Sequence, residues 1–68
     1  MRSMFTLEEV GRMLDMKPSE VKKEIEGGHL TYSFDEGEKR ISLYDLEKYM
    51  GADQTRKITQ EFLENKES

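Results

Sequence analysis

Apolar positions near the start of the chain follow the period of a helix. Leu7, Val10 and Leu14 recur at i, i+3 and i+7, which places them on one face of a helix. Thr6 precedes this run and Glu9 lies three positions further on, the spacing of a capping box, in which each side chain accepts a hydrogen bond from the other residue's amide. The pattern therefore predicts a first helix that begins directly after Thr6.

A second short helix is predicted after a three-residue turn. Asp15 tolerates the left-handed conformation that such a turn requires, and Pro18 suits the first position of the next helix. Val21 and Ile25 form the apolar side of this helix, which ends at a pair of glycines. Gly11 lies on the apolar face of the first helix, and we interpret it as a point where another helix crosses close to the backbone. Two helices joined by a tight turn form a helix-turn-helix arrangement.

Strict alternation replaces the helical spacing after the glycine pair. Leu30, Tyr32 and Phe34 alternate with polar residues, and Ile41 and Leu43 do the same. The polar segment between the two runs contains a glycine, so we expect a β-hairpin. The aromatic side chains could stack on nucleic-acid bases, but in so small a domain they are expected in or beside the core. These aromatic residues are Tyr32, Phe34, Tyr44 and Tyr49.

Helical spacing returns in the last third of the chain. Ser42 and Asp45 lie three apart and predict a second capped helix, which ends at Gly51. A weaker apolar stripe, Ile58, Phe62 and Leu63, predicts about three further helical turns over residues 54–65. Two interpretations of this stripe stay open, because it can dock on the domain or offer an apolar patch to a protein partner or a second copy.

Together these elements predict a mainly α fold with a small β-hairpin. The predicted domain spans residues 4–51, and an amphipathic helix with a polar tail occupies residues 52–68. The most specific spacings in the chain are a glycine-x-leucine at Gly28–Leu30 and a basic-isoleucine pair at Arg40–Ile41, followed by Asp45–Leu46. The other residues of the same pattern are Thr6, Glu8, Glu9, Val10, Gly11, Leu14, Met16, Pro18, Ser19, Val21, Ile25 and His29.

This pattern resembles the excisionase-like branch of the MerR-type winged helix-turn-helix superfamily, over about two thirds of the chain. Members of this family bind double-stranded DNA, with the second helix in the major groove and the hairpin as a wing along the minor groove. The resemblance implies a small transcriptional regulator or an excisionase-like accessory protein. The residues expected to contact DNA are Lys17, Ser19, Lys22, Lys23, Lys39 and Arg40.

The same helix face also has a purely structural interpretation. Lys22 and Glu26 lie at i, i+4, and Glu20 and Lys23 lie at i, i+3. Such pairs contribute about 0.2–0.5 kcal/mol each on a solvated helix. The two interpretations of this face stay open. Arg40 likewise has a structural alternative, which is to pair with the acidic tip of the hairpin.

The charge distribution weighs against DNA in one segment. The 68 residues carry 15 acidic and 11 basic side chains, for a formal charge of −4. The predicted wing tip holds three of the acidic residues, Asp35, Glu36 and Glu38, which would oppose the counterion release that drives DNA binding. The alternative function is therefore a protein-interaction module that keeps the fold but has lost DNA binding.

Composition removes other classes of function. With no cysteine and one histidine, the chain has no thiol nucleophile, no cysteine zinc site and no multi-histidine metal site. We expect no cofactor and no enzymatic activity. No apolar run reaches the length of a signal peptide or a membrane span, so a cytoplasmic protein without a membrane partner is expected.

Overall fold

The computed structural model describes residues 2–67, which form four helices and a three-stranded antiparallel sheet. This confirms a mainly helical fold with a small β element; Ser68, the last residue of the predicted tail, lies outside the described residues. The elements in chain order are β1 (Met4–Phe5), α1 (Leu7–Leu14), α2 (Pro18–Glu26), β2 (Ser33–Asp35), β3 (Glu38–Ser42), α3 (Leu43–Met50) and α4 (Ala52–Glu67).

Both predicted capping boxes are confirmed. The Glu9 amide donates to Thr6 Oγ1 at 3.0 Å, and the Thr6 amide donates to Glu9 Oε1 at 3.0 Å. At the start of α3, the Asp45 amide donates to Ser42 Oγ at 3.0 Å, and the Ser42 amide donates to Asp45 Oδ2 at 2.9 Å. Asp15 ends α1 in the predicted left-handed conformation, with φ 56° and ψ 48°.

The interpretation of Gly11 needs a correction. A Cβ atom at this position would lie 2.7 Å from the carbonyl oxygen of Met16 and 3.7 Å from Cγ2 of Val21 on α2. The closest approach to Gly11 is therefore the backbone of the α1–α2 turn rather than the crossing helix. The Met16 amide also donates to the Gly11 carbonyl at 2.7 Å, which draws the turn back onto α1.

The sheet has a strand that the alternation did not predict. β1 pairs with β3 through Met4↔Ser42 and Phe5↔Ile41, so the strand order is β1-β3-β2. The predicted strands are also shorter than expected. Leu30 is buried in the segment before β2, and Leu43 begins α3 instead of ending β3.

A two-residue turn closes the hairpin of β2 and β3. Asp35 pairs with Glu38, which leaves Glu36 and Gly37 as the central residues, and both have positive φ, at 54° and 80°. Positive φ at both positions is the signature of a type I′ turn, whose twist matches that of the two strands.

The core is small and draws on nearly every element. Its fully buried apolar residues are Phe5, Val10, Val21, Leu30, Ile41 and Leu46. α4 covers one side of it, where the ring of Phe62 meets that of Phe5 edge-on at 6.2 Å. Phe62 and Leu63 pack against the core, and Ile58 is half-buried. The apolar stripe therefore docks on the domain, and α4 is one 16-residue helix, longer than predicted.

The expectation for the aromatic residues was wrong at three of four positions. Tyr49 packs against the core. Tyr32, Phe34 and Tyr44 are exposed, at 41%, 65% and 67%.

Candidate nucleic-acid interface

α2 is held in place by hydrogen bonds from α3 and from the loop that follows α2. The Tyr49 hydroxyl donates to Glu24 Oε1 at 2.7 Å, and His29 Nδ1 lies 3.1 Å from Glu24 Oε2. The hydrogen bond from Tyr49, followed by that from His29, lowers the pKa of Glu24, and the same bond raises the pKa of Tyr49. Glu24 is thus a carboxylate that joins α2 to α3 across the back of the helix.

The outward face of α2 carries a serine and two lysines. Ser19, Lys22 and Lys23 are all exposed. The Glu20 carboxylate accepts a hydrogen bond from the Lys17 amide at 2.9 Å and so stabilises the first turn. Within the part of the chain that the structure describes, neither the Lys22–Glu26 nor the Glu20–Lys23 ion pair forms. The structural interpretation of this face is therefore not supported for those two pairs.

A groove lies between α2 and the hairpin. It has a volume of about 280 Å³, and two lysines from different elements, Lys22 of α2 and Lys39 of β3, stand on its walls. Leu7 and Ile25 are the apolar residues of its lining, and Glu26 is the one acidic residue. We refer to these five residues as the Lys22–Lys39 groove. It brings together two of the six predicted DNA contacts.

Lys23 lies on the other side of α2. It lines a separate shallow depression of about 300 Å³, together with Met16, Glu20 and Glu24. Lys17 is at the beginning of the helix, and Ser19 is in its first turn. α2 therefore presents Ser19 at its N-terminal end, with lysines on both flanks.

The hairpin face beside the groove is aromatic and cationic. Lys39 is paired with Phe34 across the strands, and side chains on the same face recur at every second residue, so Lys39 shares its face with Ile41. The Lys39 ammonium lies 4.8 Å from the centre of the Tyr32 ring. The rings of Tyr32 and Phe34 meet edge-on at 5.6 Å. We call Tyr32 and Phe34 the aromatic pair.

The opposite hairpin face is acidic. The cross-strand pairs Asp35–Glu38 and Ser33–Arg40 alternate with the Phe34–Lys39 pair and so belong to this second face. Arg40 donates to the Glu38 carboxylate at 2.7 Å and to the Lys39 carbonyl at 3.2 Å. The structure therefore does not bring Arg40 to the groove, and its structural alternative, pairing with the acidic tip, is what forms.

A buried carboxylate anchors the base of the hairpin. Asp45 is only 4% exposed and accepts hydrogen bonds from Thr31 Oγ1 at 2.7 Å, from Ser33 Oγ at 2.9 Å and from the Ser42 amide and hydroxyl. Burial by itself raises the pKa of Asp45, but these hydrogen bonds outweigh it and lower the pKa. The hairpin is thereby fixed to the N-terminus of α3.

The aromatic pair is the part of this surface that sequence reasoning placed elsewhere. The sequence carries a usable signal for it, because a two-residue Glu36–Gly37 turn fixes Phe34 opposite Lys39. That register puts Phe34 on the face of Ile41, but two residues nearer the tip, beyond the reach of the core.

Comparison with protein-family models, curated proteins and solved structures finds no match for this chain. Over residues 2–67, no helix has the length and apolar character needed to cross a bilayer. The same residues contain no group of three or more histidine, aspartate or glutamate side chains arranged to hold a metal ion.

Proposed function

We propose that this chain is a winged helix-turn-helix module that binds double-stranded DNA, with α2 as the recognition helix and the β2–β3 hairpin as the wing. The observation that carries this proposal is the Lys22–Lys39 groove. It sets Lys22 of the helix beside Lys39 of the hairpin, on the two elements that the family resemblance assigns to DNA. Neither lysine forms an ion pair among the residues that the structure describes. Cations from two elements on one surface suit the phosphates on either side of a groove.

The division of the hairpin into two faces reduces the objection from net charge. Of the acidic residues near the tip, Asp35 and Glu38 belong to the face opposite Lys39, and Glu38 is paired with Arg40. A duplex that lies over α2 and the aromatic face is therefore expected to meet Lys22 and Lys39, with Glu26 as the one carboxylate of the groove lining. Ser19, in the first turn of α2, is in the position from which recognition helices contact base edges.

The salt dependence of binding tests this proposal. The full chain would be titrated at low salt against a random duplex library, and the enriched sequence would then be titrated over a range of salt concentrations. Each phosphate contact contributes about 0.9 to the slope of log K against log salt, so the double variant Lys22→Ala/Lys39→Ala should lower the slope by about 2.

A matched control removes the same charge elsewhere. Lys48 of α3 and Lys57 of α4 are exposed and lie outside the groove lining. Lys48→Ala/Lys57→Ala should leave the slope unchanged. Equal slopes for the two double variants, or no binding by the wild type at low salt, would overturn the proposal.

A second candidate function is a protein-interaction module, which the acidic hairpin face favours. Asp35 and Glu38 are exposed there, Glu36 is exposed in the adjoining turn, and Arg40 is already paired with Glu38. A basic protein segment would complement this face. Under this alternative, Asp35→Asn/Glu38→Gln weakens capture of a protein partner from nuclease-treated extract, whereas in a DNA-binding module the same variant binds duplex at least as tightly as the wild type.

A further inference from the structure

Two aromatic side chains are exposed on the hairpin face that carries Lys39, although the domain has a small core. Phe34 is 65% exposed and contacts Tyr32 edge-on, and Lys39 stands over the Tyr32 ring. Within residues 2–67, only six apolar side chains are fully buried. An exposed phenylalanine contributes little to the stability of so small a protein, which favours a binding role at the surface.

The hairpin holds this phenylalanine rigidly. The type I′ turn closes the strands directly beyond the Asp35–Glu38 pair, and Asp45 fixes the other end through Thr31 and Ser33. Tyr32 supports one side of the Phe34 ring. The side chain is therefore presented in a defined direction.

The neighbouring charges indicate the chemistry of the ligand. Lys39 belongs to the same face as Phe34, and Lys22 lines the same groove as Lys39, with Glu26 as the one carboxylate of that lining. An exposed apolar ring beside a cation, with a second cation on the neighbouring helix, complements a ligand with negative charge outside and flat, apolar surfaces inside. Stacked base pairs between two phosphate backbones have this arrangement. Proteins that bind the minor groove use phenylalanine in this way, inserting it between base pairs and kinking the duplex.

We propose that Phe34 is an apolar wedge that enters a base-pair step from the minor groove and bends the DNA, supported by Tyr32 and flanked by the phosphate contacts of Lys39 and Lys22. This inference rests on the DNA-binding function proposed above. The step it selects is a flexible pyrimidine–purine step, TA or CA/TG, because such steps unstack at the lowest cost. Phe34 thereby contributes to target choice through deformability rather than through hydrogen bonds to bases.

The experiment uses the duplex enriched by the wild-type chain. Dyes at its two ends report bending by energy transfer, and 2-aminopurine placed at successive positions reports unstacking by its fluorescence. The wild type should bend the duplex by at least about 20° and raise the fluorescence at one step. Phe34→Ala should abolish both signals and weaken binding about tenfold, because stacking of an aromatic side chain on bases is lost.

Two further variants make the test specific. Phe34→Leu keeps an apolar wedge and should retain the bend. Tyr44→Ala removes an equally exposed aromatic side chain, which also has a lysine over its ring, from α3, and should change neither signal. Circular dichroism of each variant checks that the fold is intact.

The outcomes separate this inference from the proposed function. If the wild type binds without bending or unstacking, or if Phe34→Ala retains both, the wedge is refuted and DNA binding stands. If the wild type binds no duplex, the proposed function fails and the wedge fails with it.

Discussion

The two ends of β3 differ in burial and in the residues that they contact. At its C-terminal end, Ile41 is fully buried opposite Phe5, and Ser42 is hydrogen-bonded to the buried Asp45. At its N-terminal end, Lys39 lies opposite the exposed Phe34, beside a turn with two positive φ angles. Five residues of one strand thus pass from the core to the candidate interface. Substitutions at the two ends should therefore affect stability and binding separately.

The strongest test of this contrast is Asp45→Ala at the buried end. The substitution leaves the donors of Thr31, Ser33 and Ser42 without their acceptor and should lower the free energy of unfolding by about 3 kcal/mol. Urea titration followed by circular dichroism measures the loss. Asp53→Ala removes an exposed carboxylate from α4 and is the control, with a much smaller loss expected. Equal losses for the two variants would contradict the anchoring role of Asp45.

Acid should weaken the same end of the strand. Burial raises the pKa of Asp45, but the hydrogen bonds that it accepts lower the pKa by a larger amount. The pKa of Asp45 is therefore lower in the folded state than in the unfolded chain. The stabilisation is therefore complete above the pKa of the unfolded chain, about 4, and decreases as the pH falls through the folded-state pKa. Unfolding free energies measured from pH 6 to pH 2 should fall less steeply for Asp45→Asn than for the wild type. Parallel curves would show that another group causes the decrease.

The buried part of the described chain also contains a polar group without a hydrogen-bond partner, and replacing this group should stabilise the fold instead of weakening it. Thr59 is fully buried, and its hydroxyl has no hydrogen-bond partner among the described residues. Thr59→Val keeps the shape and should raise the free energy of unfolding by about 1 kcal/mol. Thr55, one turn earlier, donates to the Gly51 carbonyl at 2.7 Å, so Thr55→Val should lower it by about the same amount. A stability gain for both variants would contradict this difference.

The smallest effect is expected at the exposed end. Glu36 has a φ of 54°, a conformation that asparagine tolerates better than glutamate. Glu36→Asn should raise the free energy of unfolding by about 0.5 kcal/mol because it creates the Asn-Gly turn that type I′ hairpins prefer. Thermal unfolding detects the change. Glu36→Ala removes the same charge without that preference, and an equal gain from it would attribute the effect to charge.

Local signals predicted much of this fold. Both capping boxes, the left-handed Asp15 and the hairpin turn follow from residues within three or four positions of one another. The pairing of β1 did not follow, because two residues are too few to show a period. The additional donors to Asp45 lie 12 and 14 positions before it, a separation that no local pattern reports.

The candidate interface was predicted less completely for the same reason. The sequence identified Lys22 and Lys39 as separate contacts, but only the packing of the hairpin beside α2 sets them around one groove. Arg40 follows Lys39 directly and was grouped with it, although alternation along a strand sends the two side chains to opposite faces. The exposure of Phe34 depends on how far along the hairpin the core extends, and no sequence pattern reports that boundary.

The strand order β1-β3-β2 also affects when the sheet can form during synthesis. β1 is synthesised before the other described elements, yet Phe5 pairs with Ile41, 36 positions further along the chain. α1 and α2 are thus synthesised before the central strand on which the sheet depends, and Phe62 arrives later still to cover Phe5. Contacts of such long separation form late, because the intervening loop must first be closed. Nascent chains that stop before residue 41 should therefore remain sensitive to protease, and protection should begin only once β3 has emerged and can pair with β1.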